Sequence, residues 1–167
     1  MNQKKAFIVE REQSRTAEPL NVLGDIIHVK LSGSDTDRTY AMMEDTTGPQ
    51  AGPPLHRHSR EDESFYVLEG HYRFEVDDQE IKAGRGAFVH APRGTAHTFQ
   101  NIGQAPGRLL VTVQPAGLEV FFAELAAATA GMKEPDLKVI VPIFEKHGLE
   151  LLGPPLAARG APAAAQP

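Results

Sequence analysis

From Ala6 to Val113 the chain is a succession of nine short apolar runs, each closed by Gly, Pro or a polar turn residue. They are "KAFIVE", "DIIHVKL", "RTYAMME", "SFYVLEG", "HYRFEV", "QEIKAG", "GAFVHAP", "AHTFQN" and "RLLVTVQP". Runs of this length, rich in Val, Ile, Phe and Tyr and bounded by turn residues, read as strands. Many short strands in series fold as an antiparallel sandwich or barrel. The pair Asp77-Asp78 sits between two of the runs and predicts a tight hairpin.

Alternation shows which faces are covered. In "HYRFEV" Tyr72, Phe74 and Val76 share one face, and His71, Arg73 and Glu75 the other. One side of that strand is therefore wet. The stretch Phe65 to Leu68 is apolar on both sides, so its outer face calls for a second sheet or a second subunit.

After Gln114 the period changes. Leu118, Phe121, Phe122 and Leu125 form a helical stripe, read as packing rather than as a ligand groove. A second helix is predicted over 136–147, with Leu137, Ile140, Val141 and Phe144 inward, Pro135 at its start and Gly148 at its end. Pro142 predicts a kink or a break. The predicted division is 1–115 for the barrel and its N-terminal strands, 116–152 for a helical extension and 153–167 for a disordered tail rich in Pro, Ala and Gly.

Composition removes several function classes. With no cysteine there is no disulfide, thiolate metal site or cysteine nucleophile. A net charge of −5 without a basic block argues against nucleic acid as a partner. Neither a leader-like apolar stretch near the start nor a membrane-length one is seen, and the expected setting is the cytoplasm.

The chemistry concentrates in "PPLHRHSREDESFYVLEGH". His56 and His58 are two apart, so on a strand they face one side, and Glu63 follows five residues later. Two imidazoles and a carboxylate suit a divalent transition metal: Fe, Ni, Mn, Co, Cu or Zn. In "GRGAFVHAPRGTAHTFQN" the Pro92–Gly94 turn aims a further imidazole, His97.

These two stretches resemble the paired motifs of the cupin superfamily. His56, His58, Glu63 and Gly70 match the first, with Gln50 where the family places a leading glycine. Gly86, Pro92, Gly94, His97 and Asn101 match the second in full. The resemblance covers roughly residues 22–115. It implies an all-β fold, a double-stranded β-helix or jelly-roll barrel with C-terminal α-helices. It also implies a metal held by His56, His58, Glu63 and His97.

The two predicted C-terminal helices and "ELLGPP" resemble an extension of small single-domain, quercetin-dioxygenase-like cupins. That similarity implies a metal-dependent dioxygenase for a small enolic or aromatic substrate. Strand parity with Glu63 and His97 turns Phe65, Val67 and Phe99 into the expected pocket, with Phe74 toward its far end, and Glu63, the one non-histidine ligand, is the candidate catalytic base. Two alternatives stay open. One is a redox-neutral isomerase or lyase, and the other a cupin that binds a small ligand without turnover. A homodimer is expected, since similar cupins pair by their sheet edges. His28 and His90 are left unassigned relative to the pocket, His71 is read as solvated, and His147 as a helix-end cation. Within "SREDE" only Glu63 is assigned a role, and the rest is read as a solvated turn.

Overall fold

The computed structural model describes residues 5–15 and 18–159. Two antiparallel sheets face each other across one core. The larger has the order β1-β2-β3-β10-β5-β8: β1 (Leu20–Val22), β2 (Asp25–Leu31), β3 (Ala41–Thr47), β10 (Gly107–Gln114), β5 (Asp62–Glu69) and β8 (Phe88–Ala91). The smaller has the order β11-β4-β9-β6-β7: β11 (Leu149–Pro155), β4 (Pro54–His58), β9 (Ala96–Asn101), β6 (His71–Val76) and β7 (Gln79–Gly84). Chain neighbours fall in opposite sheets (β4 and β5, β8 and β9), which is the jelly-roll arrangement.

Strand parity puts Phe65, Val67, Tyr72, Phe74 and Phe99 inside, all but sealed from solvent. The rings of Phe65, Phe74 and Phe99 touch pairwise, with centroids 5.2 to 5.7 Å apart, and fill the barrel centre. Burying each ring contributes about 2–3 kcal/mol. The expected hairpin is present: Val76 pairs with Gln79 across Asp77-Asp78. The Asp77 carboxylate also accepts from the Ala96 amide at 2.9 Å, which ties the hairpin to β9.

Several expectations are corrected. "KAFIVE" is not a strand: residues 5–10 lie outside both sheets, with Phe7 and Ile8 exposed. Its apolar side chains do not alternate into any sheet, and Phe7 instead lies under the Arg15 guanidinium at 4.3 Å. Helix α2 (Leu137–Lys146) is one unbroken segment despite Pro142. The bond that Pro142 cannot make would end on the Lys138 carbonyl, in an exposed first turn where water can replace it. Asp136 is the N-cap, its side chain accepting from the Lys138 amide at 2.9 Å, so Pro135 stands one residue outside the helix. Ile140, Ile143 and Phe144 face inward, whereas Leu137 is exposed.

The region after 148 departs most from expectation. Leu149–Pro155 forms β11, which pairs with β4, and Leu156–Ala158 is a short 3-10 turn with Leu156 buried. A helical extension reaching 152 and a tail free of structure from 153 therefore do not describe residues 149–158. The rest of the expected tail, 160–167, lies outside the described residues. No helix among the described residues is long and apolar enough to cross a membrane.

Candidate metal centre

The register of the smaller sheet brings the histidines together. His56 on β4 pairs directly with His97 on β9, and His58 lies two residues along on the same face. Glu63 comes from β5 in the opposite sheet. One ligand atom from each of His56, His58, Glu63 and His97 falls within 4.8 Å of all the others, and all four side chains are buried. The four expected ligands thus converge.

Local structure explains the aim. The Pro92–Gly94 turn is tied to both ligand strands. The Gly94 amide donates to the His58 carbonyl at 2.7 Å, and Arg93 binds the Asp62 carboxylate at 2.7 Å. Gly94 takes φ +85°, a conformation that glycine adopts without strain. Gly52 is required for a different reason: a Cβ there would collide with the Phe99 carbonyl. Gln50, at the place of the motif's leading glycine, keeps the left-handed backbone at φ 61° and donates its amide to the Asn101 carbonyl. Asn101 is fully buried and ties two loops, donating to the carbonyls of Thr47, Gly48 and Ala105 and accepting from the Gly103 amide.

Each imidazole is held by its Nδ1. That of His56 donates to the Pro54 carbonyl at 2.8 Å, and that of His97 to the Thr95 carbonyl at 3.2 Å. His58 Nδ1 lies 3.3 Å from Glu61 Oε2. Carbonyl oxygens only accept, so for His56 and His97 the proton is on Nδ1, and a neutral ring turns its Nε2 lone pair to the centre. Nε2 of His97 and of His58 lie 2.9 and 3.4 Å from Glu63 Oε2. His58 Nε2 is buried without a hydrogen-bond partner among the described residues. Electron-rich atoms converging this closely in a dry site call for a proton or a cation between them, and the donor set fits a divalent transition metal.

Electrostatics agree with that donor set. Burial, reinforced by His97 and His58, holds the His56 pKa well below its usual value, which favours the neutral ligand form. Burial alone would raise Glu63, but the His58 field and the short approach of His97 outweigh it and hold the carboxyl at about 2. For His58 burial acts downward, while Glu63 and Glu61 act upward and prevail.

The cluster opens on a cavity of about 220 Å³ whose wall includes His56, His58 and Glu63. His97 completes the cluster from outside that wall. Phe65 and Phe99 line the cavity, as expected. Val67 and Phe74 do not: Val67 is level with Leu109 in the core, and Phe74 packs beneath the other two rings. The remaining wall comes from the C-terminal elements. Leu118, Phe121, Phe122 and Leu125 of α1 (Leu118–Thr129) border the cavity together with Phe144. The stripe read as packing alone is therefore also a roof.

Glu61 is the functional residue missed in the sequence. It is buried and braces His58, and an acid three residues after a candidate ligand was the available signal. His28 is buried on the outer face of β2 opposite Glu44, away from the cavity. His90 is exposed and bonded to Ser64, His71 is exposed, and His147 pairs with Glu124 at 2.8 Å.

An antiparallel jelly-roll barrel carrying three histidines and a glutamate beside an apolar interior defines a class of metal-binding β-barrels. Residues 43–113 match the cupin domain family, and the barrel has the cupin jelly-roll fold. An uncharacterized protein of Methanocaldococcus jannaschii is 31% identical over 61 residues, which is 36% of this chain and 49% of that relative, so the match spans about half the relative's length. A predicted oxalate decarboxylase of Thermotoga maritima superposes with a TM-score of 0.58 at 20% identity, covering 65% of this chain and 99% of that one. An RmlC-like cupin of Shewanella frigidimarina gives 0.56 at 18% identity, covering 71% and 99%. These two likenesses concern the fold.

Proposed function

We infer that the protein is a metal-dependent dioxygenase, quercetinase-like, acting on a small enolic or aromatic molecule that chelates through oxygen. The observation that carries this reading is the position of the cluster: His56, His58 and Glu63 belong to the wall of a largely apolar cavity bordered by Phe65, Phe99 and Phe121. These four residues would leave a six-coordinate ion two open positions, the mark of a catalytic rather than a structural site. When bound, the ion supplies a Lewis-acid and redox centre where an enolic oxygen and dioxygen can meet.

The chain's own groups do the rest. The aromatic walls hold a flat ring and exclude water, which strengthens the electrostatic hold on an enolate. Glu63 is the proposed acceptor of a proton from an acidified hydroxyl. His56, His58 and His97 stay oriented by their Nδ1 partners.

An oxygen electrode tests the reading, with iron-, nickel-, manganese-, cobalt-, copper- and zinc-loaded protein against flavonols, diketones and catechols. Uptake above the free-metal control for at least one pair is expected, and Glu63→Gln should lower turnover more than metal occupancy. No uptake for any pair would replace this reading with a redox-neutral or binding-only one.

The outer face of the β5–β8 pair supports a homodimer. Tyr66 and Phe88 are cross-strand partners there, exposed at 43% and 65%. Nothing among the described residues covers them, and β8 is a sheet edge.

A further inference from the structure

The cavity has a second polar end that the metal cluster does not use. Asp25 on β2 and Asp45 on β3 both belong to its wall, in a lining that is otherwise almost wholly apolar. Ile26 pairs with Thr46 and Ile27 with Asp45, so Asp25 is the diagonal neighbour of Asp45 on the inward face. Asp45 is 6% exposed. It accepts a long hydrogen bond from the Thr47 hydroxyl at 3.4 Å, and no lysine or arginine pairs with either carboxylate among the described residues. A third polar group lies behind the wall there, outside the cavity lining. Tyr72 Oη reaches the rung where Gly107 pairs with Thr47, is fully buried, and has no hydrogen-bond partner among the described residues.

Strand register sets the distance between the two ends. Glu63 and Ala41 both pair with Val113, and Asp45 lies four residues along β3 from Ala41. At about 3.3 Å per residue the acid pair stands ~13 Å along the sheet from the level of Glu63. A ligand that chelates at the cluster and extends through the apolar middle would end there.

We propose that Asp25 and Asp45 are the recognition site for a hydroxyl group at the far end of the ligand, so that the cavity takes a molecule with an oxygen-chelating head, an apolar body and an alcohol tail. Two neighbouring carboxyls, one buried and one half-buried in a largely apolar wall, cannot both ionise cheaply, so the pair retains a proton. Burial raises Asp25 to about 7, and burial with the field of Asp25 raises Asp45 well above the ordinary range. A pair holding one proton both donates to and accepts from a single alcohol. An apolar tail leaves those groups unsatisfied and binds less well. This deepens the reading under Proposed function and rests on it for the chelating end.

The test is calorimetry on zinc-loaded protein, which cannot oxidise the probe, with paired 4-alkylcatechols. Their chains carry two to six carbons and end in either a methyl or a hydroxyl. At one chain length or more the hydroxyl probe should bind at least about tenfold tighter than its methyl twin. That preference should vanish in Asp45→Leu and in Asp25→Leu, whose side chains neither donate nor accept. Equal binding of the twins by wild-type protein at every length overturns the proposal and leaves the chelation reading standing. A hydroxyl preference that survives in both variants overturns the assignment to this pair. Failure of every probe to bind the zinc-loaded protein overturns the proposal and the chelation reading together.

Discussion

Glu61 lies against His58: its Oε2 sits 3.3 Å from the ring's Nδ1, and both side chains are sealed inside the protein. The contact braces the ring of a candidate ligand from behind. Glu61→Ala should weaken metal binding by about 10–100-fold, as loss of a supporting group does elsewhere. Chelator competition measures this, and an affinity equal to wild type would show that Glu61 is merely buried.

Acid stability follows from Glu63. Its pKa falls from 4.5 in the ordinary state to about 2 in the folded metal-free protein. The associated stabilisation is fully present above about 4.5 and is lost as pH drops through 2. The melting temperature of metal-free protein should fall across that window more steeply than that of Glu63→Gln. Parallel slopes would contradict the field assigned to the histidines.

Asp45 acts with the opposite sign. Its raised pKa means that the folded state holds a proton which the unfolded chain releases near 3.8. Stability is therefore lost as pH rises above that value. Asp45→Asn should raise the melting temperature at neutral pH by a few degrees. A lower melting temperature would mean that the carboxyl is structurally required.

The exposed Tyr66–Phe88 pair predicts the assembly. Light scattering at micromolar concentration should give twice 18.1 kDa, and Phe88→Glu should shift the population to monomer. A wild-type monomer would leave that apolar face unexplained.

The end of the chain can be trimmed only so far. Leu156 is buried, and Arg159 binds Glu75 at 2.9 Å. Leu156→Ala should cost about 2–3 kcal/mol, whereas deletion of 160–167 should leave the melting temperature unchanged. A neutral Leu156→Ala would show that the 3-10 turn does not hold β11 in place.

The barrel and its ligands were legible because their signals are local. Alternation in "HYRFEV" states which side chains face inward, and His56-x-His58 states a shared face by parity alone. What the sequence concealed depends on long-range pairing. Nothing in "LELLGPP" says that Leu149 will lie beside His58 and Leu151 beside His56, though its apolar residues marked it as a segment with surface to bury. Leu118 and Phe121 carry one helical stripe whether they meet a core or a cavity, so periodicity could not reveal the roof. Phe7 and Ile8 read as a strand by composition, yet no inward face awaits them.

Metal content is the most direct test of the central claim. Elemental analysis of purified protein, after chelation and reloading, should give one divalent ion per chain. The same treatment of folded His58→Ala should leave it nearly empty, and binding by wild type should weaken as pH drops below about 6.5, where free imidazoles protonate. A His58→Ala protein that folds and binds the ion as tightly as wild type would contradict the account.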